Sequence, residues 1–292
     1  MATVATGSKL LARRMLRKIL HQTVLYLLLI GLGAVFALPL GWLVSTSLKS
    51  DQEVFRWPPR WIPNPIMWSN YIEGWTMYAF NTYLRNTVTI TGLAGIGQVF
   101  SAAAVAYGFA RLRFPGRDLL FAIVLATLML PGVVTLVPLY LLFKQIRWID
   151  TFLPLIVPAY FGGGPFFIFL LRQFFMTIPL DLSDAARIDG ASDFGIFTHV
   201  MLPLSKPGLA TVAIFSFMHH WNDFMGPLIY LNSENKRTLT LGLRDFIVVS
   251  NQRTEFQYLM AVSTLTILPV ILVFFLAQKY FIQGVVLSGI KG

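Results

Sequence analysis

The chain has 292 residues, of which 56% are hydrophobic and only 12% are charged. Soluble domains carry about 25% charged residues, so this composition excludes a soluble monomer. The apolar residues come in runs of about 20, the length that a helix needs to cross roughly 30 Å of hydrocarbon. The formal charge of +10 is explained by the lysine and arginine bias of cytoplasmic loops. We therefore expect membrane lipid, and no nucleic acid, among the partners.

The charge-poor runs predict an all-α membrane protein with six transmembrane helices. In chain order, these spans cover residues 22–46, 86–110, 119–143, 152–172, 209–230 and 259–282. The first run is longer than the about 7–15 apolar residues of a secretory signal, so we take it as a retained span. The predicted organisation is a basic tail at residues 1–21, a transmembrane domain at residues 22–282 and a C-terminal tail at residues 283–292.

The distribution of basic residues predicts the orientation of the spans. Basic residues concentrate in the N-terminal tail, in the link after the second span and near the C-terminus: Lys9, Arg13, Arg14, Arg17, Lys18, Arg111, Arg113, Arg117, Lys279 and Lys291. Cytoplasmic loops carry an excess of lysine and arginine. Both termini of this multi-pass chain are therefore expected in the cytoplasm.

Residues 49–82 are expected to form an outer segment. Pro58, Pro59 and Pro63 forbid a regular helix in its first half. Trp61 and Trp68 are typical of an aromatic belt at the membrane surface, although ligand contact is an alternative role.

The sequence contains no recognisable catalytic or metal-binding pattern. There is no cysteine, and the four histidines show no zinc-ligand spacing. The dipeptide Gly-Lys never occurs, which excludes a phosphate-binding loop of the common kind. We therefore expect no catalytic residue, no metal and no cofactor in this chain. If transport uses ATP, the nucleotide and its Mg must be bound by another subunit.

Two polar or irregular segments inside the spans are candidates for a translocation pathway. His220, Trp221, Asn222 and Asp223 form a polar cluster in the fifth span. Because a carboxylate facing lipid is costly, we expect the cluster to face a subunit interface or an aqueous pathway, with Trp221 either packing or contacting the solute.

The second candidate is the run from Gly162 to Pro165 in the fourth span, which cannot form a continuous helix. The backbone groups freed by such a break must be shielded by protein or face water. Gly163 and Gly164 therefore mark either a hinge or pathway element, or a kink packed against neighbouring helices.

The loop at residues 173–207, between the fourth and fifth spans, reads as a helix-turn-helix on the cytoplasmic face. Asp181 is expected to cap its first helix, and Gly190 to end that helix in a left-handed conformation. Ser192 can start the second helix, with one apolar face formed by Phe194, Phe197 and Met201. Pro203 and Pro207 then separate the loop from the fifth span.

This loop resembles the cytoplasmic Glu-Ala-Ala loop of permease subunits in bacterial ATP-binding-cassette importers. The positions that match are Ala185, Ala186, Asp189, Gly190, Ala191, Phe197, Leu202, Pro203, Leu204 and Pro207. Asp184 stands where the family usually has glutamate. The resemblance implies that eight residues couple the chain to an ATPase: Asp184, Ala185, Ala186, Asp189, Gly190, Ala191, Phe197 and Pro203.

Residues 130–140, 217–228 and 289–292 are similar to the carbohydrate-uptake, maltose-type branch of that family, and to its smaller six-span permease subunit. The resemblance implies a non-enzymatic permease subunit of a sugar or oligosaccharide importer in the bacterial plasma (inner) membrane. Its implied partners are a second homologous permease, a cytoplasmic ATPase dimer and an extracytoplasmic solute-binding protein. Polyols, phosphorylated glycerol and polyamines are alternative solutes. An ion-coupled secondary carrier is a further alternative, which the scarcity of charge inside the spans disfavours.

The purified chain alone should not hydrolyse ATP, because it lacks a Gly-Lys phosphate cradle. Phosphate release should equal that of a buffer blank and should appear only when an ATPase subunit is added. Turnover above the blank by the chain free of other subunits would contradict the assignment.

Overall fold

A computed structural model describes the backbone of residues 2–248 and 255–289 and the side chains of Met15 and of residues 17–247 and 255–278. The side chains of Lys9, Arg13, Arg14, Lys279 and Lys291, and the ending at residues 290–292, lie outside the described part.

Every regular element in these ranges is helical, because long apolar runs in hydrocarbon satisfy their backbone groups within one helix. The α-helices are α1 (Ala2–Ser47), α2 (Asp51–Val54), α3 (Ser69–Met77), α4 (Phe80–Arg111), α5 (Arg117–Ala126), α6 (Gly132–Gln145), α7 (Leu153–Ile156), α8 (Pro165–Thr177), α9 (Leu180–Ile188), α10 (Asp193–Ile196), α11 (Leu202–Leu204), α12 (Lys206–Trp221), α13 (Met225–Tyr230), α14 (Leu239–Val248) and α15 (Phe256–Gly289). Short 3₁₀ turns occupy Thr127–Met129, Val157–Tyr160 and Glu234–Lys236, and a π turn occupies Phe197–Met201.

Between four and six of these segments can cross a membrane. Four are long and apolar enough alone: Arg17–Ser47, Phe80–Arg111, Leu153–Thr177 and Phe256–Gln278. Two bent pairs satisfy the same criteria together, one bent by 98° after Met129 and the other by 80° at Ser205. The prediction of a helical membrane protein is thus confirmed, and the predicted third span is a helix pair broken at Leu130 and Pro131.

The predicted fifth span needs a correction at its end. We expected it to continue to residue 230, but α12 ends at Trp221 and the separate helix α13 follows. The side chain of Asp223 accepts a hydrogen bond from the amide of Gly226 at 3.1 Å, so it bonds a backbone group locally in place of continuing the helix. Pro227 in α13 has no amide hydrogen for a donor bond back to Asp223.

The chain forms two compact units, one of which comprises residues 1–72 and 255–264. In this unit, the side chain of Asn70 donates to the carbonyls of Ser47 at 2.9 Å and Lys49 at 2.8 Å, at the end of α1. Trp61 packs edge-on against Trp42 at 5.2 Å. Residues 55–68 contain no regular helix, which confirms the expectation from the prolines.

In the other unit, residues 73–254 and 265–292, α4 packs against α8 and α12. Small side chains at Ala102, Ala103 and Ala106 let these helices approach closely. With 32 residues, α4 is about 48 Å long. Its first turns contact the segment at residues 231–240, and its last turns contact α10. The two ends of α4 thus carry the segments that the sequence assigns to opposite sides of the membrane.

Candidate functional site

The loop between α8 and α12 has the predicted helix-turn-helix form. Gly190 follows α9 with φ of +84°, the left-handed conformation expected of it. Ser192 accepts a hydrogen bond from the amide of Gly195 at 3.2 Å and caps α10 as predicted. The predicted cap at Asp181 is wrong, because Pro179 is the residue before the first turn and provides no side-chain bond. Asp181 lies inside that turn, where its charge complements the positive end of the helix.

The inner side of the loop packs on the last turns of α4. Phe197 and Met201 are buried as predicted, and the ring of Phe197 lies 5.0 Å from that of Tyr107. Tyr107 also donates a hydrogen bond to the carbonyl of Asp193 at 3.1 Å. The prediction that Phe194 shares this buried face is wrong: it is 69% exposed at the outer start of α10. The loop is therefore fixed to the membrane domain through its second half.

The outer side of the loop is exposed and holds most of the residues assigned to coupling: Asp184, Ala185, Asp189, Gly190 and Pro203 are exposed, and Ala186 and Ala191 are half-buried. Ile188, which the pattern did not single out, is 87% exposed. A large apolar side chain so exposed on a loop is typical of a protein contact surface.

Arg187, which the sequence pattern did not single out, holds the exposed side of the loop together. Its guanidinium donates to Asp184 at 3.2 Å and to Asp193 at 3.1 Å, which joins α9 to α10. The hydrogen bond with Asp193, followed by the charges of both aspartates, raises the pKa of the Arg187 guanidinium. Both pairs are solvent-exposed, so their contribution to stability is small. Their main effect is to fix the position of Asp184.

A second candidate site is an open cavity of about 420 Å³ beside α4. It is lined by Gln98, Pro154, Leu155, Pro158, Ala159, Phe161, Gly164, His219, His220, Asp223, Gly226 and Tyr230. Three residues predicted for the pathway, His220, Asp223 and Gly164, thus meet at one cavity although 59 positions separate Gly164 from Asp223.

The other three predicted pathway residues lie outside the lining. Trp221 is buried, stacks on Phe217 and donates to the carbonyl of Thr266 at 3.2 Å, which is a packing role. Asn222 is exposed, and its amide donates to the carbonyl of Met218 at 2.8 Å, which closes the end of α12.

Gly163 is not a lining residue, but it lies next to Gly164, which is. All three glycines of the break at residues 162–164 have positive φ, which confirms that the fourth span is interrupted there. A β-carbon on Gly163 would overlap the backbone of Ala102, so only glycine fits. The carbonyl of Gly163 accepts a hydrogen bond from the side chain of Gln98. Gln98 was missed; a lone glutamine in an apolar run was the available signal.

A hydrogen-bonded clasp joins the loop at residues 146–152 to the loop at residues 231–236, next to this cavity. The carboxylate of Asp150 accepts from the amides of Asn232 at 3.0 Å and Ser233 at 2.9 Å, and from the Ser233 hydroxyl at 2.5 Å. Lys236 pairs with the same carboxylate at 3.1 Å. The amide of Asp150 donates at 2.7 Å to the carbonyl of Tyr230, a residue that lines the cavity. These bonds, above all those from Ser233, hold the pKa of the Asp150 carboxyl well below its usual range.

Among the side chains that the structure describes, no group of three or more histidine, aspartate or glutamate residues is placed to hold a metal ion.

The described residues form an all-helical membrane domain with interrupted spans and an exposed helix-turn-helix, an architecture suited to a transport permease. Residues 98–286 match the model of the family described as the binding-protein-dependent transport system inner membrane component. The chain belongs to this family, and it is a permease subunit of an ATP-binding-cassette importer.

Relatives of known name agree with this assignment. The chain is 34% identical to the sn-glycerol-3-phosphate transport system permease protein UgpE of Pectobacterium atrosepticum, over 89% of this chain and 94% of that protein. It is 33% identical to the arabinooligosaccharides transport system permease protein AraQ of Halalkalibacterium halodurans, over 91% of this chain and 96% of that protein. A solved bacterial ABC transporter that imports the acidic polysaccharide alginate contains a chain with a TM-score of 0.77 and 27% identity, over 88% of this chain and 95% of that chain.

Because the clasp lowers the pKa of Asp150, the stability of the fold should decrease at acidic pH. Asp150→Asn keeps the side-chain shape and tolerates the φ of +59°, but it loses the charge. It should cost about 1–2 kcal/mol near pH 7, after allowance for the partial exposure of the pair. A lowered folded pKa means that the carboxylate stabilises the fold fully above its unfolded pKa of about 3.9, and that this stabilisation is lost as pH falls further.

The measurement is the Tm of the purified chain in detergent across pH. The difference between the parent and Asp150→Asn should be constant at neutral pH and shrink below about pH 4. Asp118→Asn is the control, since the Asp118 side chain is 78% exposed and pairs only with Arg117 on the surface. A difference that stays the same down to pH 3 would show that the charge contributes nothing.

Proposed function

We propose that the chain forms half of the translocation pathway for a neutral sugar or oligosaccharide. The observation that carries this proposal is the cavity beside α4, where imidazole, carboxylate, amide and aromatic groups converge. Sugars present hydroxyl groups that such donors and acceptors bind, and apolar ring faces that pack on aromatic side chains such as Phe161 and Tyr230.

The charge of the lining favours a neutral solute over an anionic one. The lining residues include one carboxylate, Asp223, and two histidines, but no lysine or arginine. Proteins commonly recognise phosphate and carboxylate groups with arginine or lysine, in charge-assisted pairs. Of the solutes named for the relatives, arabinooligosaccharides fit this lining better than sn-glycerol-3-phosphate or the acidic polysaccharide.

The proposed topology has six spans, with both termini in the cytoplasm of a bacterium. The bent pair α5 and α6 counts as one span, and α12 forms the fifth. The transmembrane domain at residues 22–282 pairs with a second homologous permease, and the outer segment at residues 49–82 faces away from the cytoplasm. A solute-binding protein delivers the sugar from that side. The basic N-terminal tail and the residues after the last span remain in the cytoplasm, where lysine and arginine are favoured.

In the proposed mechanism, the chain itself performs no bond-making chemistry. A dimer of ATPase subunits binds ATP and Mg and closes upon them, and the exposed side of α9 and α10 follows that movement. The spans then alternate between two arrangements that open the cavity to one side or the other. ATP and the binding protein bias this equilibrium because each has different affinity for the two states.

The cavity should be reachable from water and protected by its solute. Because the chain has no cysteine, Asp223→Cys and His219→Cys each introduce a unique thiol. In the assembled transporter with its binding protein, a membrane-impermeant thiol reagent should label both. An arabinooligosaccharide should slow the labelling by about tenfold at saturating concentration, whereas sn-glycerol-3-phosphate should leave the rate unchanged.

Glu234→Cys, at an exposed outer position, is the matched control and should be labelled equally with and without sugar. Protection by sn-glycerol-3-phosphate alone would contradict the neutral substrate. Equal labelling of both cavity positions with every solute, together with a parental KM for transport, would show that the cavity is not on the pathway.

The loop around Gly190 should be the joint to the ATPase. A β-carbon at its φ of +84° costs about 1 kcal/mol or more, and a leucine there also projects from the exposed ridge of α9. Gly190→Leu should therefore insert and express normally but retain much less ATPase on co-purification, or hydrolyse ATP without transport. Ile188→Asp, which changes the exposed surface without backbone strain, should have the same effect.

Gly116→Leu is the control for strain alone, because Gly116 has φ of +78° in another short loop and open space around it. It should retain the ATPase. Gly190→Asn should be milder than leucine, since asparagine tolerates the left-handed conformation. If Gly190→Leu and Ile188→Asp both keep their ATPase subunits and transport at the parental rate, the joint lies elsewhere.

A further inference from the structure

One face of α4 holds the segments on both sides of α9. Arg111, the last residue of α4, donates from Nη2 to the carbonyls of Phe175 at 2.6 Å and Ile178 at 2.5 Å, just before α9 begins. Tyr107 donates its hydroxyl hydrogen to the carbonyl of Asp193 at 3.1 Å, just after α9 ends. Residues four apart on a helix lie on the same face, so these two side chains form one clamp.

The clamp is buried and chemically matched to its partners. The carbonyl of Phe175 lies in the last turn of α8 and also accepts a hydrogen bond from the amide of Ile178 at 3.2 Å. Ile178 is the residue just after α8, and carbonyls at a helix end can accept further donors. The positive guanidinium of Arg111 also complements the negative end of that helix. Because Arg111 and Tyr107 are only 9% and 5% exposed, water cannot easily replace the lost partners if α9 moves away from α4.

A contact in the opposite direction, from α8 to α4, also joins the ends of these two helices. Arg172 donates from Nε to the carbonyl of Phe109, in the last turn of α4, at 3.3 Å. Its guanidinium carbon lies 4.1 Å from the centre of the Phe121 ring in α5. An arginine on each of α4 and α8 therefore bonds a carbonyl near the end of the other helix. A cation–π contact from Arg172 also holds α5 against them.

We propose that Tyr107 and Arg111 are positioning residues that make α4 move with α9 as one body. A displacement of α9 by the ATPase then reaches Gln98, which lies on the same helix and lines the cavity. This proposal rests on the proposed function, since it assumes that the outer side of α9 meets the ATPase. In this proposal, the clamp transmits the movement of α9 at the ATPase contact to α4 and so to the cavity.

The test uses the assembled transporter in lipid vesicles and measures sugar transported per ATP hydrolysed. Arg111→Met should retain its ATPase subunits, because the exposed side of α9 is unchanged, but transport per ATP should fall by about tenfold. Tyr107→Phe, which loses only the hydroxyl, should give a smaller fall. Arg111→Lys keeps the charge and one nitrogen donor on a shorter side chain, so it should lie between Arg111→Met and the parent.

Arg113→Met is the matched control, since Arg113 is an exposed arginine two positions further along the chain. It should transport at the parental ratio. If Arg111→Met does not fold, Tyr107→Phe and Arg111→Lys decide the question, because both keep the packing of the side chain they replace.

A distance measurement tests whether the clamp makes α4 and α9 move together or only stabilises the fold. The chain lacks cysteine, so spin labels can be placed through Asp181→Cys on α9 and Leu93→Cys on the exposed side of α4. The distance between them should stay the same when ATP is added to the parental transporter. In Arg111→Met it should change, because α9 then moves without α4.

A parental transport ratio in both Arg111→Met and Tyr107→Phe, or a distance that changes with ATP in the parent, would overturn the clamp. Loss of the ATPase from Arg111→Met would also overturn it, because the side chain would then only shape the joint. These outcomes differ from failure of the proposed function, in which Gly190→Leu and Ile188→Asp keep their ATPase subunits.

Discussion

Hydrocarbon offers no water to the backbone groups that a broken helix leaves unpaired, and in this chain the side chains of α4 satisfy them. Gln98 and Ser101 bond the carbonyls of Gly163 and Ala159 in the interrupted fourth span. Asn86 bonds the carbonyls of Asn235 and Arg237 in an outer loop at 2.9 Å each. Arg111 does the same for the end of α8. An unsatisfied group of this kind costs several kcal/mol in lipid, so these bonds from α4 offset the cost of breaking the fourth span.

This constraint also places the functional elements. The cavity lies at the glycine break: Gly163 packs on Ala102 of α4, and Gly164 and Gln98 line the cavity. The loop that we propose as the contact with the ATPase lies at the end of the same helix, held through Tyr107 and Phe197. The Asp150 clasp and Asn86 fix the outer loops near its beginning. One long helix therefore spans from the outer loops past the cavity to the coupling loop.

Most of the architecture could be predicted from composition and local pattern. Long apolar runs can only be helices in a bilayer, and the run of three glycines before Pro165 can only be a break. The left-handed turn at Gly190 and the cap at Ser192 also follow from local chemistry. These features share one property: the residues that determine them are neighbours in the sequence.

The features that sequence analysis missed depend on distant residues. Asp223 was expected inside a continuous helix, because apolar residues follow it. Instead, α12 ends at Trp221, and the Asp223 side chain accepts a hydrogen bond from the amide of Gly226. Phe194 has the spacing of a buried residue, yet the loop docks through Phe197 and leaves it exposed. No local pattern gives the partners of Gln98, Tyr107 and Arg111, since these lie 65, 86 and up to 67 positions away. Only the packing of α8 and α10 on α4 gives these side chains their roles.

The same bonds that permit the breaks also restrict how the protein can move. A carbonyl released from α4 in hydrocarbon must find a new donor at once, so gradual separation of the fourth span from α4 is costly throughout. A movement that keeps α4, the glycine break and the coupling loop together exposes none of these groups, and it needs only apolar surfaces to slide against one another. Sliding of packed apolar helices between two arrangements is inexpensive in comparison. The buried hydrogen bonds thus favour rigid-body motion of the unit built on α4, and leave its exposed apolar surfaces as the places where the two transport states can differ.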